Sequence, residues 1–148
     1  MRPTFEEISI VMINILIIDD DNDDSDFLRE AIQQISPGTN CTIVRNAAEA
    51  IKGLYTKKFA RPGLIFLDIC MPHVNGMEYL KEMKRNPTVN DIPVVIYTTS
   101  ESQHDRTETL ELGAASFITK PTGFRLLCKI VTDIFIQEAI NIARHNQL

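Results

Sequence analysis

The run Leu64-Ile65-Phe66-Leu67 ends on a single aspartate, Asp68, with Pro72 four residues later and Gly76 eight residues later. Four consecutive apolar residues have no polar face to offer water. Such a run suits a strand covered on both faces, which is the habit of parallel sheets sandwiched between helices. Pro72 and Gly76 then turn the chain out of the strand and into a new element. Asp68 is therefore expected at the carboxyl end of a central strand, the edge of an open α/β sheet where ligands bind.

The rest of the chain repeats this pattern. Ile13 to Ile18 reads as a buried strand running into Asp19-Asp20. Phe27, Leu28, Ala31, Ile32 and Ile35 then recur at helical spacing until Ser36-Pro37-Gly38 stops the helix. Cys41 to Val44 is a short strand, and Asn46-Ala47-Ala48-Glu49 resembles a capping box opening a helix to about Phe59. After the central strand, a helix is expected from Gly76 to about Arg85. A fourth strand follows over Ile92 to Tyr97, with Thr98-Thr99-Ser100 as its polar exit and Thr99 and Ser100 as caps of the next helix. That helix spans roughly Gln103 to Leu112 and is closed by Gly113. Ser116 to Thr119 is the fifth strand, and Lys120-Pro121 leaves it. X–Pro bonds tolerate cis, so this exit is compatible with a cis Lys120–Pro121 bond. A last helix is expected from about Gly123 to Arg144, capped by Thr122. Five strands alternating with five helices imply parallel strands with crossovers on both faces, a doubly wound α/β sandwich.

Four of the strands end on polar groups: Asp19 and Asp20, Asp68, Thr98, and Lys120. In a flavodoxin-like (βα)5 sheet of order 2-1-3-4-5 the first and third strands are neighbours, and the three carboxylates converge at the switch point. Carboxylates crowded together repel and raise one another's pKa unless a cation neutralises them. Oxygen-only ligands suit Mg2+, with Mn2+ as the natural substitute. With a cation present, Asp68 can attack phosphorus as a carboxylate nucleophile and form an acyl phosphate. Phosphoryl transfer needs charge neutralisation and positioning above all, which Lys120 and the Thr98 hydroxyl can supply.

Taken together, Asp19-Asp20, Asp68 within Leu-Asp-Ile-Cys-Met-Pro-His-Val-Asn-Gly, Thr98 and Lys120-Pro121 closely resemble the signature of two-component response-regulator receiver domains. The resemblance runs over about residues 12 to 135, and the loops resemble those of stand-alone, phytochrome-type regulators. It implies that Asp68 is the phosphoacceptor, with Asp68, Thr98 and Lys120 as the catalytic set. Asp19, Asp20, Asp68 and the Cys70 carbonyl would form the metal site, with Asp20 as principal ligand and Asp19 acting through water. Thr98 and Phe117 would be the switch pair. It further implies a histidine kinase or histidine phosphotransfer protein as donor, and output through contact with another protein.

Composition narrows the alternatives. The 148-residue chain has 44% hydrophobic residues and a net charge of −5, and no basic run exceeds two residues, so a dedicated nucleic-acid surface is not expected. Its three cysteines show no zinc or disulfide spacing. The apolar stretch Ile8 to Ile18 is too short to span a bilayer, and the protein is read as cytoplasmic. Residues 1–11 read as an N-terminal extension or leader and 12–148 as the domain. Two other functions compete. A haloacid-dehalogenase-like phosphatase using Asp19 would need a further acidic pair after Lys120, where only Asp133 and Glu138 occur. A flavodoxin-like cofactor binder would want a glycine- or hydroxyl-rich phosphate loop where this chain has carboxylates. Asp19-x-Asp21-x-Asp23 with Glu30 mimics a calcium loop, but Asp24 stands where that loop needs glycine. Asp21, Asp23, Asp24 and Asp26 read instead as a solvated helix start. The last helix carries more apolar residues than one core-facing stripe requires. The surplus would pack on residues 1–11 or, through a face within 104–144, on a second copy or a partner.

Overall fold

The computed structural model describes residues 14–146. Five strands alternate with five helices: β1 (Asn14–Ile18), α1 (Asn22–Ile35), β2 (Asn40–Val44), α2 (Ala47–Thr56), β3 (Leu64–Leu67), α3 (Gly76–Arg85), β4 (Val94–Thr98), α4 (Gln103–Glu111), β5 (Ser116–Thr119) and α5 (Phe124–Asn146). All strand pairs are parallel, and the sheet order is β2-β1-β3-β4-β5. This is the flavodoxin-like arrangement expected from the alternation. The leader assigned to residues 1–11, and Ile13 at the expected start of β1, lie outside the described residues.

The apolar runs are continuous because each strand feeds two cores. Leu16, Ile18, Ile65, Leu67, Val94, Ile96 and Phe117 point to one face, against Ala50, Ile51 and Leu54 of α2 and Leu80 and Met83 of α3. Ile15, Ile17, Leu64, Phe66, Val95 and Tyr97 point to the other, against Leu28, Ala31 and Ile32 of α1 and Leu127, Val131 and Phe135 of α5. Alternate residues of a strand face opposite ways, so a strand buried on both sides needs apolar residues throughout. Each such side chain contributes on the order of 2 kcal/mol when fully buried.

Several boundaries depart from the sequence reading. The α2 helix stops at Thr56 rather than near Phe59, because Lys57 adopts a left-handed conformation (φ 55°). The Phe59 ring then folds back over Gly53, into space that a Cβ would occupy. Pro93 cannot join the β4 ladder as a donor, so that strand begins at Val94; the Pro93 carbonyl instead accepts from the Ile65 N–H at 3.0 Å. The cap of α4 is Ser102, whose hydroxyl accepts from the Asp105 N–H at 3.2 Å, not Thr99 or Ser100. Gly113, with φ +104°, follows that helix in a conformation that costs glycine little. The α5 helix begins at Phe124, and the Gly123 carbonyl accepts from the Leu127 N–H at 3.0 Å, so Gly123 holds the cap position expected for Thr122. No peptide bond among the described residues is cis. From a trans Lys120–Pro121 bond, the Lys120 N–H extends the sheet ladder to the Thr98 carbonyl (2.7 Å) and its side chain still reaches the carboxylates. Leu126 is 53% exposed at the start of α5, and Leu110 of α4 is also exposed. No described helix is long and apolar enough to cross a membrane.

Candidate functional site

Backbone bonds between neighbouring strand ends set the edge of the site. The Asp19 N–H donates to the Val44 carbonyl (3.2 Å), and the Asp68 N–H donates to the Ile18 carbonyl (3.0 Å). These bonds align the exits of β2, β1 and β3, while Lys120 continues the β4–β5 pairing. Side chains from elements far apart in sequence are thereby brought to one edge.

Two carboxylates share one local design. Asp19 Oδ1 accepts from the Asp21 N–H at 3.0 Å, and Asp68 Oδ1 accepts from the Cys70 N–H at 2.9 Å. Each is a side chain satisfying a backbone donor two residues on, as aspartate does at turns. The second oxygen of each is turned to the Lys120 ammonium, at 2.9 Å for Asp19 Oδ2 and 3.0 Å for Asp68 Oδ2. Asp24 Oδ2 makes the third contact, at 2.8 Å. The Lys120 side chain is only 7% exposed, and its Nζ also lies 5.5 Å from the centre of the Tyr97 ring. Burial alone would lower the pKa of this ammonium. The three carboxylates of Asp24, Asp19 and Asp68 gathered around it outweigh burial and hold the pKa above the usual lysine range.

Asp19 remains the strained member. It is 1% exposed, and Oδ2 is buried without an aligned hydrogen bond despite its closeness to the lysine. Burial raises its pKa from 3.8 to about 6, more than Lys120 and the Asp21 N–H lower it. One carboxylate oxygen from each of Asp19, Asp20 and Asp68 falls within a 4.8 Å span. A hard divalent cation fits this donor set: the ligands are all oxygens, buried Asp19 Oδ2 has no aligned hydrogen bond and only the Lys120 ammonium beside it, and Asp20 is exposed to admit ligand waters. The calcium-loop spacing does not form a comparable set, because Asp21 is the α1 cap and its Oδ1 accepts from the Asp24 N–H at 2.9 Å.

The structure thus brings Asp19, Asp20, Asp68 and Lys120 together. Thr98 lies fully buried at the end of β4. Its hydroxyl accepts a long bond of 3.4 Å from the Ser100 N–H rather than touching the carboxylates. Cys70 is exposed and meets Asp68 through its N–H. Phe117 is buried within β5, with the Arg106 guanidinium of α4 at 5.0 Å from its ring centre. Three residues take parts at the site other than those expected for them. Asp24, read as a solvated residue, is an ion-pair partner of Lys120. Tyr97 lies beneath the lysine. The Ser100 hydroxyl donates to Asp105 Oδ2 (2.6 Å), and the Ser100 carbonyl accepts from the Thr119 hydroxyl (2.9 Å), fastening α4 to the exits of β4 and β5. The available signal for Asp24 was its place in the first turn of a helix that starts at the ligand-binding edge, where a side chain leans back toward the helix N-terminus.

Comparison with known proteins completes the picture. Residues 15–132 match the response regulator receiver domain family. Response regulator Rcp1 of Synechocystis sp. is 33% identical over 125 residues, covering 81% of this chain and 84% of Rcp1. The chain spans about half or less of some other curated relatives. Among solved structures, the Mn2+-bound form of Rcp1 superposes with a TM-score of 0.73 at 32% identity, covering 82% of this chain and 90% of that one. A phosphorylated cyanobacterial phytochrome response regulator, RcpA, superposes with a TM-score of 0.76 at 31% identity, covering 83% and 91%.

Proposed function

Because the chain belongs to the response regulator receiver domain family, we propose that it is a phosphorylation switch in which Asp68 accepts a phosphoryl group from a phosphorylated histidine. The observation that carries this reading is the single ammonium of Lys120 held against Asp68 and Asp19 at the meeting point of three strand ends. One carboxylate oxygen of Asp68 attacks phosphorus as the P–N bond to the donor imidazole breaks. The imidazole leaves with the bonding pair, and Asp68 becomes an acyl phosphate.

Asp19, Asp20, Asp68 and the Cys70 carbonyl would hold Mg2+ or Mn2+, which when bound supplies positive charge to the phosphoryl oxygens. The chain's own contribution is positioning. The Cys70 N–H fixes the orientation of the Asp68 carboxylate. Lys120 moves from carboxylate to phosphoryl oxygen, and Thr98 gives up its long bond to Ser100 for the same target. That motion loosens the Ser100–Asp105 link and repacks Phe117 beneath Arg106, changing the α4–β5–α5 surface. The exposed Leu110 and Leu126 give this surface apolar contact points, for a downstream protein or a second copy through the 104–144 face.

The donor is a histidine kinase or histidine phosphotransfer protein, and the setting is cytoplasmic. The Mn2+-bound and phosphorylated relatives support the metal and phosphoryl elements of this reading. Nothing favours the phosphatase alternative. Asp133 and Glu138, the only acidic residues after Lys120, line a cleft with Ala115 and Ser116 at the opposite end of β5.

Incubation with a histidine phosphotransfer protein phosphorylated on histidine tests the reading. The label should move to the wild-type chain and not to Asp68→Asn. Equal labelling of that variant would refute Asp68 as acceptor.

A further inference from the structure

The Lys120 ammonium stands where a cation must come. Its contacts with Asp19 Oδ2 (2.9 Å) and Asp68 Oδ2 (3.0 Å) engage two of the three residues of the oxygen cluster. An ammonium has three N–H donors. Here its aligned hydrogen bonds go to Asp24 and Asp68, while the Asp19 contact lacks alignment. A divalent ion on these carboxylates would repel an ammonium held at the same residues. The lysine therefore needs somewhere else to go before a phosphoryl group is present to receive it.

Asp24 meets that need. It comes from the first turn of α1 rather than from a strand end, and it is not a member of the Asp19–Asp20–Asp68 cluster. Its Oδ2 makes the shortest of the three contacts with Nζ (2.8 Å). Its side chain is 38% exposed, so contact with the ammonium there costs little desolvation. Its place is held by the backbone, since its N–H donates to the cap, Asp21 Oδ1.

We propose that Asp24 is the positioning residue that takes over the Lys120 ammonium when a divalent cation occupies Asp19, Asp20 and Asp68, and that it thereby sets the affinity for the cation. The inference rests on the proposed receiver chemistry and extends it to a residue outside the cation's own ligands. Without Asp24, each cation that binds has to leave the lysine charge beside it or expel it to solvent. Asp24 further competes with an incoming phosphoryl group for Lys120, so it holds the lysine poised rather than committed.

The test is calorimetric titration with Mn2+, and in parallel with Mg2+, of wild type, Asp24→Asn, Lys120→Gln and the double variant. Asp24→Asn should weaken Mn2+ binding by about fivefold in the wild-type background and by less than about twofold beside Lys120→Gln. Asp24→Glu, which keeps a carboxylate within reach, should restore affinity to within about twofold of wild type. The α1 cap uses only the backbone N–H of residue 24, so far-UV circular dichroism of Asp24→Asn should match wild type. An equal or larger loss in the Lys120→Gln background would mean that Asp24 acts on the cation directly, and would overturn the inference while leaving the receiver reading intact. No Mn2+ binding by wild type would overturn both.

Discussion

Replacing Asp19 with asparagine should make the cation-free protein more stable. The carboxyl of Asp19 is 1% exposed, and its Oδ2 lies in the interior without an aligned hydrogen bond. Its pKa is raised from 3.8 to about 6, first by burial and further by the charge of Asp68. A raised pKa means that the folded state binds this proton more tightly than the unfolded chain does. Ionised Asp19 therefore costs stability above about pH 6, and the cost fades as pH falls from there towards 3.8. At 1.36 kcal/mol for each tenfold in proton affinity, the full cost is roughly 3 kcal/mol. The pull of Lys120 is already contained in that raised pKa, and Asp24 and Asp68 remain to hold the ammonium. The gain should therefore approach about 3 kcal/mol, or roughly 6–12 °C in Tm for a chain of this length. Thermal unfolding in EDTA at pH 7.5 measures it directly. The advantage should shrink steadily between pH 7 and pH 4. It should disappear in millimolar Mg2+, which stabilises only a chain able to bind it. A lower Tm for Asp19→Asn at pH 7.5, or an advantage that persists unchanged at pH 4, would refute the reasoning.

Two further outcomes follow from the same geometry. Lys120→Ala should leave Asp68 able to take a phosphoryl group but break the link to the surface, so amide resonances of Thr98 and Phe117 should stay in place on phosphorylation. A wild-type shift pattern in that variant would remove Lys120 from the switch. A Cβ at Gly76 would lie 2.6 Å from the Ile69 backbone Cα, whereas one at Gly38 meets nothing within 4 Å. Gly76→Ala should then cost about 1–3 kcal/mol in urea unfolding and disturb the Asp68–Cys70 turn, while Gly38→Ala should change stability by less than about 0.5 kcal/mol. Equal stability of the two variants would show that the Ile69 contact is not limiting.

The sheet was legible because its constraint is local and repeated. Runs such as Leu64–Leu67 have no polar side, so both faces must be covered, and parallel order then places Asp19, Asp68 and Lys120 on one edge. What was less legible depends on how loops travel. Ser100 and Ser102 both suit a helix start, and the choice falls to Ser102 because Ser100 is held by Asp105 and Thr119. Lys57 ends α2 in a left-handed turn that glycine or asparagine would ordinarily signal, so the sequence carries no mark of it. Asp24 looked like one acid among four near a helix start, and only the approach of Lys120 from a strand end 96 residues away distinguishes it. The position of Thr98 was expected, but its hydroxyl follows the Ser100 N–H, a detail fixed by the β4–α4 turn.

Intact-mass spectrometry after incubation with acetyl phosphate tests the central claim most directly, with and without Mg2+, on wild type and Asp68→Asn. A receiver built on this carboxylate cluster should gain a single phosphoryl group only when Mg2+ is present and only when Asp68 is intact. A phosphoryl adduct that forms equally without the cation, or that persists in Asp68→Asn, would contradict the account.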